Sequence, residues 1–591
     1  MAGKTFAEKI LGGKKGDIVF REPDLVLTHD NTASIRKTFQ KMGGSTIPNP
    51  DRLLVVLDHN APPTNAKLAN DYEAVREFVT THGITKFYDA GHGICHEIMS
   101  YHARPGMIIT GSDSHTCTAG AFNTLATGID RTEAAATWKT RETWFRIPES
   151  IKIVLNGQLS KGVYAKDLSL WIIGLLGSAG ANYKSIEYHG EGVESLTLPQ
   201  RMTVANLASE MGAKNAVFPA DNVLREYLGE NDFISVWADH DAEYEAVFEI
   251  NLDEIFPVVA VPHQVDNVKA VDEIAGIPVH QGLIGTCTNG RLEDLRVAAK
   301  ILAGKQVSPG FQLLVIPASR KIYLQAIEEG LIAEFVKAGA NVLSSSCGPC
   351  LGTGQGIPFD NANVISTANR NFPGRMGNKN AFVYLASPAT VALSAVEGKI
   401  VNPFKSDGKQ VFPFKLPKTS VVSLSENESR RFGNVWDYSD IDNLDTDRMF
   451  SGKHTYNILS SDGEAIVPHL FEDFDPNFAA SVQEGDIIIA GENFGCGSSR
   501  DHPAVGMAHA GIKAIIVKSV NRIFYRSSVN QGLVLIVSPD AVDTYKTGDS
   551  VEVDFEKGTI MVGNRRIRIA PLPGKLKSII TSKGLINYLS G

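Results

Sequence analysis

Along the chain, short apolar runs end in polar, glycine-rich turns and are followed by helix-like stretches. Leu53–Leu57 precedes Asp58-His59, and Met107–Thr110 precedes Gly111-Ser112-Asp113-Ser114-His115. Leu313–Ile316 has the same form, as does Asp486–Ala490 before Gly491-Glu492-Asn493-Phe494-Gly495-Cys496. Such runs between turn residues predict buried strands, and their alternation with helical stretches predicts α/β domains with mainly parallel sheets. Ligands gather beyond the carboxyl ends of strands in such sheets, which is where the polar constellations of this chain fall. The most apolar stretch, Leu168–Ala181, is too short to span a bilayer and reads as a buried helix.

Between Asn402 and Arg431 the pattern lapses into Pro, Lys, Ser and Glu. Residues 403–431 therefore read as an exposed linker between a body at 1–402 and a smaller module at 432–591. A chain of 591 residues exceeds one core, and about four domains are expected from length. The net charge of −9 gives no general attraction to nucleic acid or anionic membranes, so an anionic substrate needs clustered arginines. Six cysteines without disulfide-like spacing indicate a reducing compartment. Met1–Asp17 has no apolar leader core. A cytoplasmic monomer or simple homo-oligomer with no membrane partner is expected.

Three cysteines lie in two Gly/Ser-rich loops: Cys287 in Gly-Thr-Cys-Thr-Asn-Gly, and Cys347 and Cys350 in Ser-Ser-Ser-Cys-Gly-Pro-Cys-Leu-Gly. Three thiolates without a fourth suit an iron–sulfur cluster with one iron open to chemistry, whereas electron-transfer clusters take four. A zinc site with an added histidine and a thioredoxin-like redox pair are the alternatives. The redox pair needs its first cysteine at a helix start, and here the following Leu-Gly-Thr-Gly-Gln-Gly reads as loop.

Asp58-His59, His96 in Gly-His-Gly-Ile-Cys-His-Glu, and Asp113-Ser114-His115 bring three histidines and two aspartates to strand ends, a converging acid/base cluster or a set of ordinary polar loops. Arg370 and Arg375 flank a Pro-Gly turn, and guanidinium forks bind carboxylates bidentately, although a solvated basic loop has the same composition. In Gly495-Cys496-Gly497-Ser498-Ser499-Arg500 the glycines let backbone amides approach an anion, which fits either a Ser498 base whose charge the amides and Arg500 stabilise or a phosphate-binding or simply tight turn.

Together these segments resemble the aconitase superfamily of hydro-lyases over almost the whole chain. The carrying motifs are Gly-Thr-Cys-Thr-Asn-Gly-Arg-Leu-Glu-Asp-Leu, Ser-Cys-Gly-Pro-Cys-Leu-Gly, Asn-Arg-Asn-Phe-Pro-Gly-Arg and Asn-Phe-Gly-Cys-Gly-Ser-Ser-Arg. The isopropylmalate dehydratase and homoaconitase branch is the nearest likeness, with its large- and small-subunit regions joined in one chain. The resemblance implies three α/β/α domains around a 4Fe-4S cluster on Cys287, Cys347 and Cys350, plus a C-terminal swivel domain. It also implies acid/base and orienting pairs of Asp58 with His59, His96 with Asp113, and His115 with Glu210. Ser498 takes the carbon-bound proton, and Arg370, Arg375, Arg500, Ser499, Ser114 and Asn206 line the substrate. The implied activity is reversible dehydration of a hydroxy di- or tricarboxylate, as in 3-isopropylmalate or homocitrate isomerisation, with an aconitase, an alkylmalate dehydratase or an RNA-binding apo relative as alternatives. Lys453 stands where an arginine facing the substrate is expected, and a lysine cannot form the bidentate fork.

Overall fold

The computed structural model describes residues 3–230, 232–404, 408–414, 430–455, 458–497, 500–555, 557–569, 572 and 574–590. Three sheets build the body. The first is fully parallel, in the order Lys86–Tyr88, Leu53–Val56, Leu25–Thr28, Ile108–Gly111, Leu125–Gly128. Its central strands are buried along their whole length, as the unbroken apolar runs require. Because the strands are parallel, four polar segments leave the same edge: His29-Asp30, Asp58-His59, Ser112–His115 and Asp130-Arg131.

A second parallel sheet holds Asn215–Val217, Ser185–His189, Ser150–Asn156 and Ala246–Asn251. The third has seven strands, with two antiparallel strands at one edge of a parallel run, Phe382–Leu385, Asn363–Ser366, Gln281–Gly285, Gln312–Ile316 and Asn341–Val342. Cys287 follows Gln281–Gly285, Cys347 follows Asn341–Val342, and Asn369-Arg370 follow Asn363–Ser366. The buried helix expected over Leu168–Ala181 runs Ala165–Leu176 and is closed by Gly177, so residues 177–181 lie beyond it.

In the C-terminal region a five-stranded sheet, Arg431–Phe432 to Leu535–Val537, packs against a three-stranded antiparallel sheet, Val551–Asp554 to Arg565–Arg568. The final helices, Gly574–Thr581 and Leu585–Ser590, return to the body, where Leu576, Ile579 and Leu585 share a core with Val26, Leu53 and Trp138. The helix Arg522–Asn530 is the main polar contact between the two parts. Arg526 pairs with the buried Glu133 and lies 3.9 Å from the Trp144 ring centroid, and Asn530 Nδ2 donates to Asp130 Oδ2 at 2.6 Å.

Two expectations need correction. The 403–431 segment is not exposed throughout, because Phe412 is buried and packs with Phe414 around Trp171. The two phenylalanines bury more apolar area than the surrounding prolines and lysines suggest. The Cys-Gly-Pro-Cys pair is not loop either. Gly348–Leu351 forms one helical turn with Cys347 as its N-cap, Pro349 in the first turn and Gly352 closing it in the left-handed region.

Candidate functional site

The first sheet's edge gathers a chain of histidines and carboxylates. Asp58 is fully buried and accepts from Cys95 N through Oδ2 at 2.7 Å, while Oδ1 lies 2.7 Å from His59 Nδ1. His59 stacks on His29 with centroids 3.7 Å apart, and its Nε2 lies 3.7 Å from Asp113 Oδ2. Asp113 also meets His96 Nε2 at 2.8 Å and His115 Nδ1 at 3.3 Å. Burial pushes the Asp113 carboxyl up, but three facing imidazoles hold it well below the usual range. Burial alone would lower His59, yet Asp58 and Asp113 raise it well above the ordinary value. His29, buried and beside that charge, falls to about 3 and is neutral. Gly128 makes room for the arrangement: a Cβ there would lie 2.7 Å from the Asp113 carbonyl oxygen.

From Asp113 the network runs on. His115 Nε2 lies 2.8 Å from Glu210 Oε1; Arg370 Nε donates to both Glu210 oxygens at 3.0 Å, and Arg370 Nη2 donates to Ser114 Oγ at 3.0 Å. Burial again opposes ionisation of Glu210, but Arg370 and His115 prevail and hold its carboxyl down at about 2. Lys166, wholly buried, donates to the carbonyls of Thr367 at 3.0 Å and Ala368 at 2.6 Å, just before Asn369-Arg370. Burial brings its ammonium down to about 8.

The three thiols sit beside this network. Cys347 Sγ is 3.7 Å from Asp58 Oδ2. Cys287 Sγ accepts from Asn206 Nδ2 at 3.4 Å and Asn369 Nδ2 at 3.7 Å, and Cys350 Sγ accepts from Arg375 Nη2 at 3.6 Å. Arg291 fastens the Cys287 turn by donating to the carbonyls of Cys287 at 2.7 Å and Thr288 at 2.8 Å. Burial pushes the Cys287 thiol up to about 12, and burial with Asp58 raises that of Cys347. Bound metal reverses this, since a coordinated thiol is deprotonated. Donors aimed at two of the sulfurs fit the thiolate form.

The spacing bears on which metal group fits. Among the described residues, three sets of metal-ligating side chains have all their donor atoms within 4.8 Å of one another, and the cysteines are not such a set. Two thiolates on one zinc are at most about 4.6 Å apart, twice the bond length of about 2.3 Å. As placed, the three sulfurs therefore cannot all bind one zinc ion. Gly352 locks their loop to the arginine loop, because a Cβ there would meet Gly377 N at 2.1 Å.

The C-terminal residues are placed differently. Ser498 and Ser499 lie outside the described residues. Arg500 donates to the Phe450 carbonyl at 3.0 Å and pairs with Asp447. Lys453 is 54% exposed at its side chain and pairs with Glu472 at 2.8 Å, with Asp473 at 3.9 Å. Cys496 bridges to Asp445, so its neighbours are those of its own module. Arg522 does cross over: its Nη2 donates to the Ser114 carbonyl at 2.9 Å and its Nη1 to the Gly128 carbonyl at 3.3 Å.

Sequence reasoning missed His29, Asp30, Lys166, Asn369 and Arg522. Asp30 accepts from the backbone N–H groups of Asp58, His59 and Asn60 at 2.8–3.1 Å and fixes the turn that carries the first pair. His29-Asp30 follows an apolar run just as Asp58-His59 does, which was the available signal. For Lys166 the signal was a charged residue at the mouth of an apolar helix.

Among the described residues no helix is long and apolar enough to cross a membrane. The model of the aconitase family (aconitate hydratase) matches residues 4–275 and 265–398, and that of the aconitase C-terminal domain matches 418–541. The chain is 47% identical over 414 residues to a 3-isopropylmalate dehydratase large subunit 2 of Archaeoglobus fulgidus, covering 68% of this chain and 99% of that protein. It is 42% identical over 417 residues to a methanogen homoaconitase large subunit of Methanocaldococcus jannaschii, covering 67% and 99%. A solved 3-isopropylmalate dehydratase (leuD) of Methanocaldococcus jannaschii is 40% identical, covers 25% of this chain and 87% of that one, and superposes with a TM-score of 0.23. The chain belongs to the aconitase family of hydro-lyases and carries the family's body and its C-terminal domain in one polypeptide.

Proposed function

We propose that Cys287, Cys347 and Cys350 hold a 4Fe-4S cluster with one iron open, and that the substrate is a hydroxy di- or tricarboxylate of the kind named for the 3-isopropylmalate dehydratase and homoaconitase relatives. The observation that supports this reading is the juxtaposition of three buried thiols, not all within 4.8 Å of one another, with a continuous histidine–carboxylate–arginine network. When bound, the cluster supplies a Lewis-acidic iron that polarises oxygen ligands.

The chain's own residues divide the remaining work. Arg370 is held flat by Glu210 and Ser114, and Arg375 is buried against Cys350, so both guanidinium groups meet carboxylates without prior reordering. Arg500 joins them once a substrate carboxylate replaces Asp447. His59, with Nδ1 anchored on Asp58, presents Nε2 towards Asp113 and carries the proton that a departing hydroxyl needs. His96 and His115 share Asp113 and hold it ionised and fixed. Asn206 orients the Cys287 sulfur. Ser498 takes the carbon-bound proton in the glycine-rich loop it shares with Gly497 and Ser499. Lys453 reaches substrate only by leaving Glu472. Docking of the helix Arg522–Asn530 closes the site and excludes water.

The test is a panel of hydroxy di- and tricarboxylates offered to anaerobically reconstituted enzyme, with the unsaturated acid followed by its ultraviolet absorbance. Formation and loss of that intermediate from one acid of the panel is the expected result. A cluster-replete enzyme that dehydrates none of them contradicts the reading.

A further inference from the structure

On the C-terminal module, away from the acid/base edge, two imidazoles converge on one carboxylate. His454 Nε2 lies 2.9 Å from Glu472 Oε1, and His469 Nδ1 lies 3.1 Å from Glu472 Oε2. The two rings face each other with centroids 3.9 Å apart, and one donor atom from each of the three side chains lies within 4.8 Å of the other two. The two other such sets among the described residues, His29-Asp30-Asp58-His59 and His96-Asp113-His115, belong to the acid/base edge. The third lies apart from it.

The backbone holds this convergence in place. Phe450 and Leu470 form an antiparallel bridge, and Phe471 N donates to the Met449 carbonyl at 2.8 Å, so the turn Gly452–His454 is tied to the turn Val467–His469. Phe471 has φ at +58°, a conformation that a bulky residue keeps only where its surroundings impose it. Its buried ring packs among Tyr438, Phe474 and Phe478, which supplies the constraint, and Glu472 follows directly from the kink. His454, Glu472 and His469 are 21%, 24% and 33% exposed at the side chain, so an ion can enter from solvent. Imidazoles with one carboxylate suit zinc and other first-row divalent ions, whereas magnesium and calcium favour oxygen ligands. Bonds of about 2.0–2.2 Å put two ligand atoms of a tetrahedral ion about 3.4 Å apart, so the two nitrogen–oxygen pairs open by a few tenths of an ångström to admit one. A neutral imidazole binds through its unprotonated nitrogen, so each ring binds once its proton sits on the nitrogen facing away.

One cation of the chain competes for the same carboxylate. Lys453 Nζ is 2.8 Å from Glu472 Oε1, the oxygen that also meets His454. Its second acid, Asp473 at 3.9 Å, is shared with Lys379 of the body, which lies 3.2 Å from the other Asp473 oxygen. We propose that His454, His469 and Glu472 bind a divalent first-row transition ion, and that the ion displaces Lys453 from Glu472. An ion and an ammonium on one oxygen repel each other, so occupancy by one weakens the other. Metal binding then releases the ammonium that stands where an arginine facing the substrate is expected, which couples the ion to substrate recognition. That coupling rests on the hydro-lyase reading above; the metal site does not.

Zinc is the probe. Wild type, His469→Ala, Glu472→Gln and Lys453→Met, each anaerobically reconstituted, are dialysed against a zinc series, and bound zinc per chain and melting temperature are read. Wild type is expected to hold about one zinc per chain more than His469→Ala or Glu472→Gln. Zinc is expected to raise the melting temperature of wild type and of neither ligand variant. Lys453→Met is expected to bind that zinc about 2- to 10-fold more tightly, because the competing ammonium is gone. Equal zinc in wild type and both ligand variants overturns the site, and unchanged or weaker binding in Lys453→Met overturns the displacement. A kinetic arm adds zinc during turnover of the preferred acid of the panel, where kcat/KM is expected to change in wild type and not in His469→Ala. Equal responses of the two overturn the coupling to recognition. If no acid of the panel turns over, the hydro-lyase reading fails, and the zinc count still decides for the site.

Discussion

In the body, His59, His96 and His115 each meet a buried or half-buried carboxylate, and Arg370 is fixed by Glu210 on one side and Ser114 on the other. In the C-terminal module, Arg500 is held by Asp447 and Lys453 by Glu472, both acids of that module. The body's groups are aligned before substrate arrives, and buried pairs of this kind resist rearrangement. In the proposed mechanism the module's cations exchange an internal partner for a substrate carboxylate, and its Ser498 meets groups that the body already holds in place. The interface agrees: Arg522 and Arg526 bring two guanidinium groups from the module into buried contacts with the body, at the Ser114 carbonyl and at Glu133.

The comparison can be broken most severely at the thiols. Replacing Cys287, Cys347 or Cys350 by serine is expected to abolish the brown chromophore and reduce turnover to background, whereas Cys496→Ser keeps both; absorbance and iron content check this. Asp113→Asn comes next. It removes the carboxylate that three histidines share, and a loss of about 10²- to 10⁴-fold in kcat is expected with iron content intact. At the interface, Arg526→Met leaves Glu133 buried and unpaired, which costs about 3–5 kcal/mol and is read as a lowered melting temperature.

A pH series separates the two regions by sign. The Glu210 carboxyl lies at about 2, below its ordinary 4.5, because Arg370 and His115 outweigh burial. Its contribution to stability is complete above about pH 4.5 and is lost as pH falls towards 2. Asp130 and Asp501 face each other across the interface and are both pushed up, by burial in each case and for Asp130 also by Asp501. Their contribution is complete below the usual aspartate range and is lost as pH rises. Melting curves against pH are expected to show Glu210→Gln flattening the acid limb and Asp501→Asn the alkaline limb. The smallest effect on stability belongs to Lys453→Leu, which breaks an exposed pair worth about 0–1 kcal/mol and leaves the melting temperature nearly unchanged.

What the sequence disclosed follows the same division. Strand ends in the body were legible because four-residue apolar runs stop at polar turns, and parallel pairing then brings those turns to one edge. The cysteine pair was misread as loop, although Pro349 at a helix start and Gly352 at its end are recognised boundary signals. Phe412 and Phe414 were passed over among prolines and lysines, and only the distant Trp171 gives them a core to join. The partners of Lys166 could not be read locally, because the Thr367 and Ala368 carbonyls that hold it lie far away in sequence.

The account rests on a cluster with one open iron, and counting iron and labile sulfide per chain while activity is followed through air exposure tests it most directly. About four of each are expected in the anaerobic enzyme. Loss of about one iron should run in step with loss of activity, and ferrous iron with reductant should restore both. A single zinc without labile sulfide, or activity that survives removal of the iron, contradicts the account.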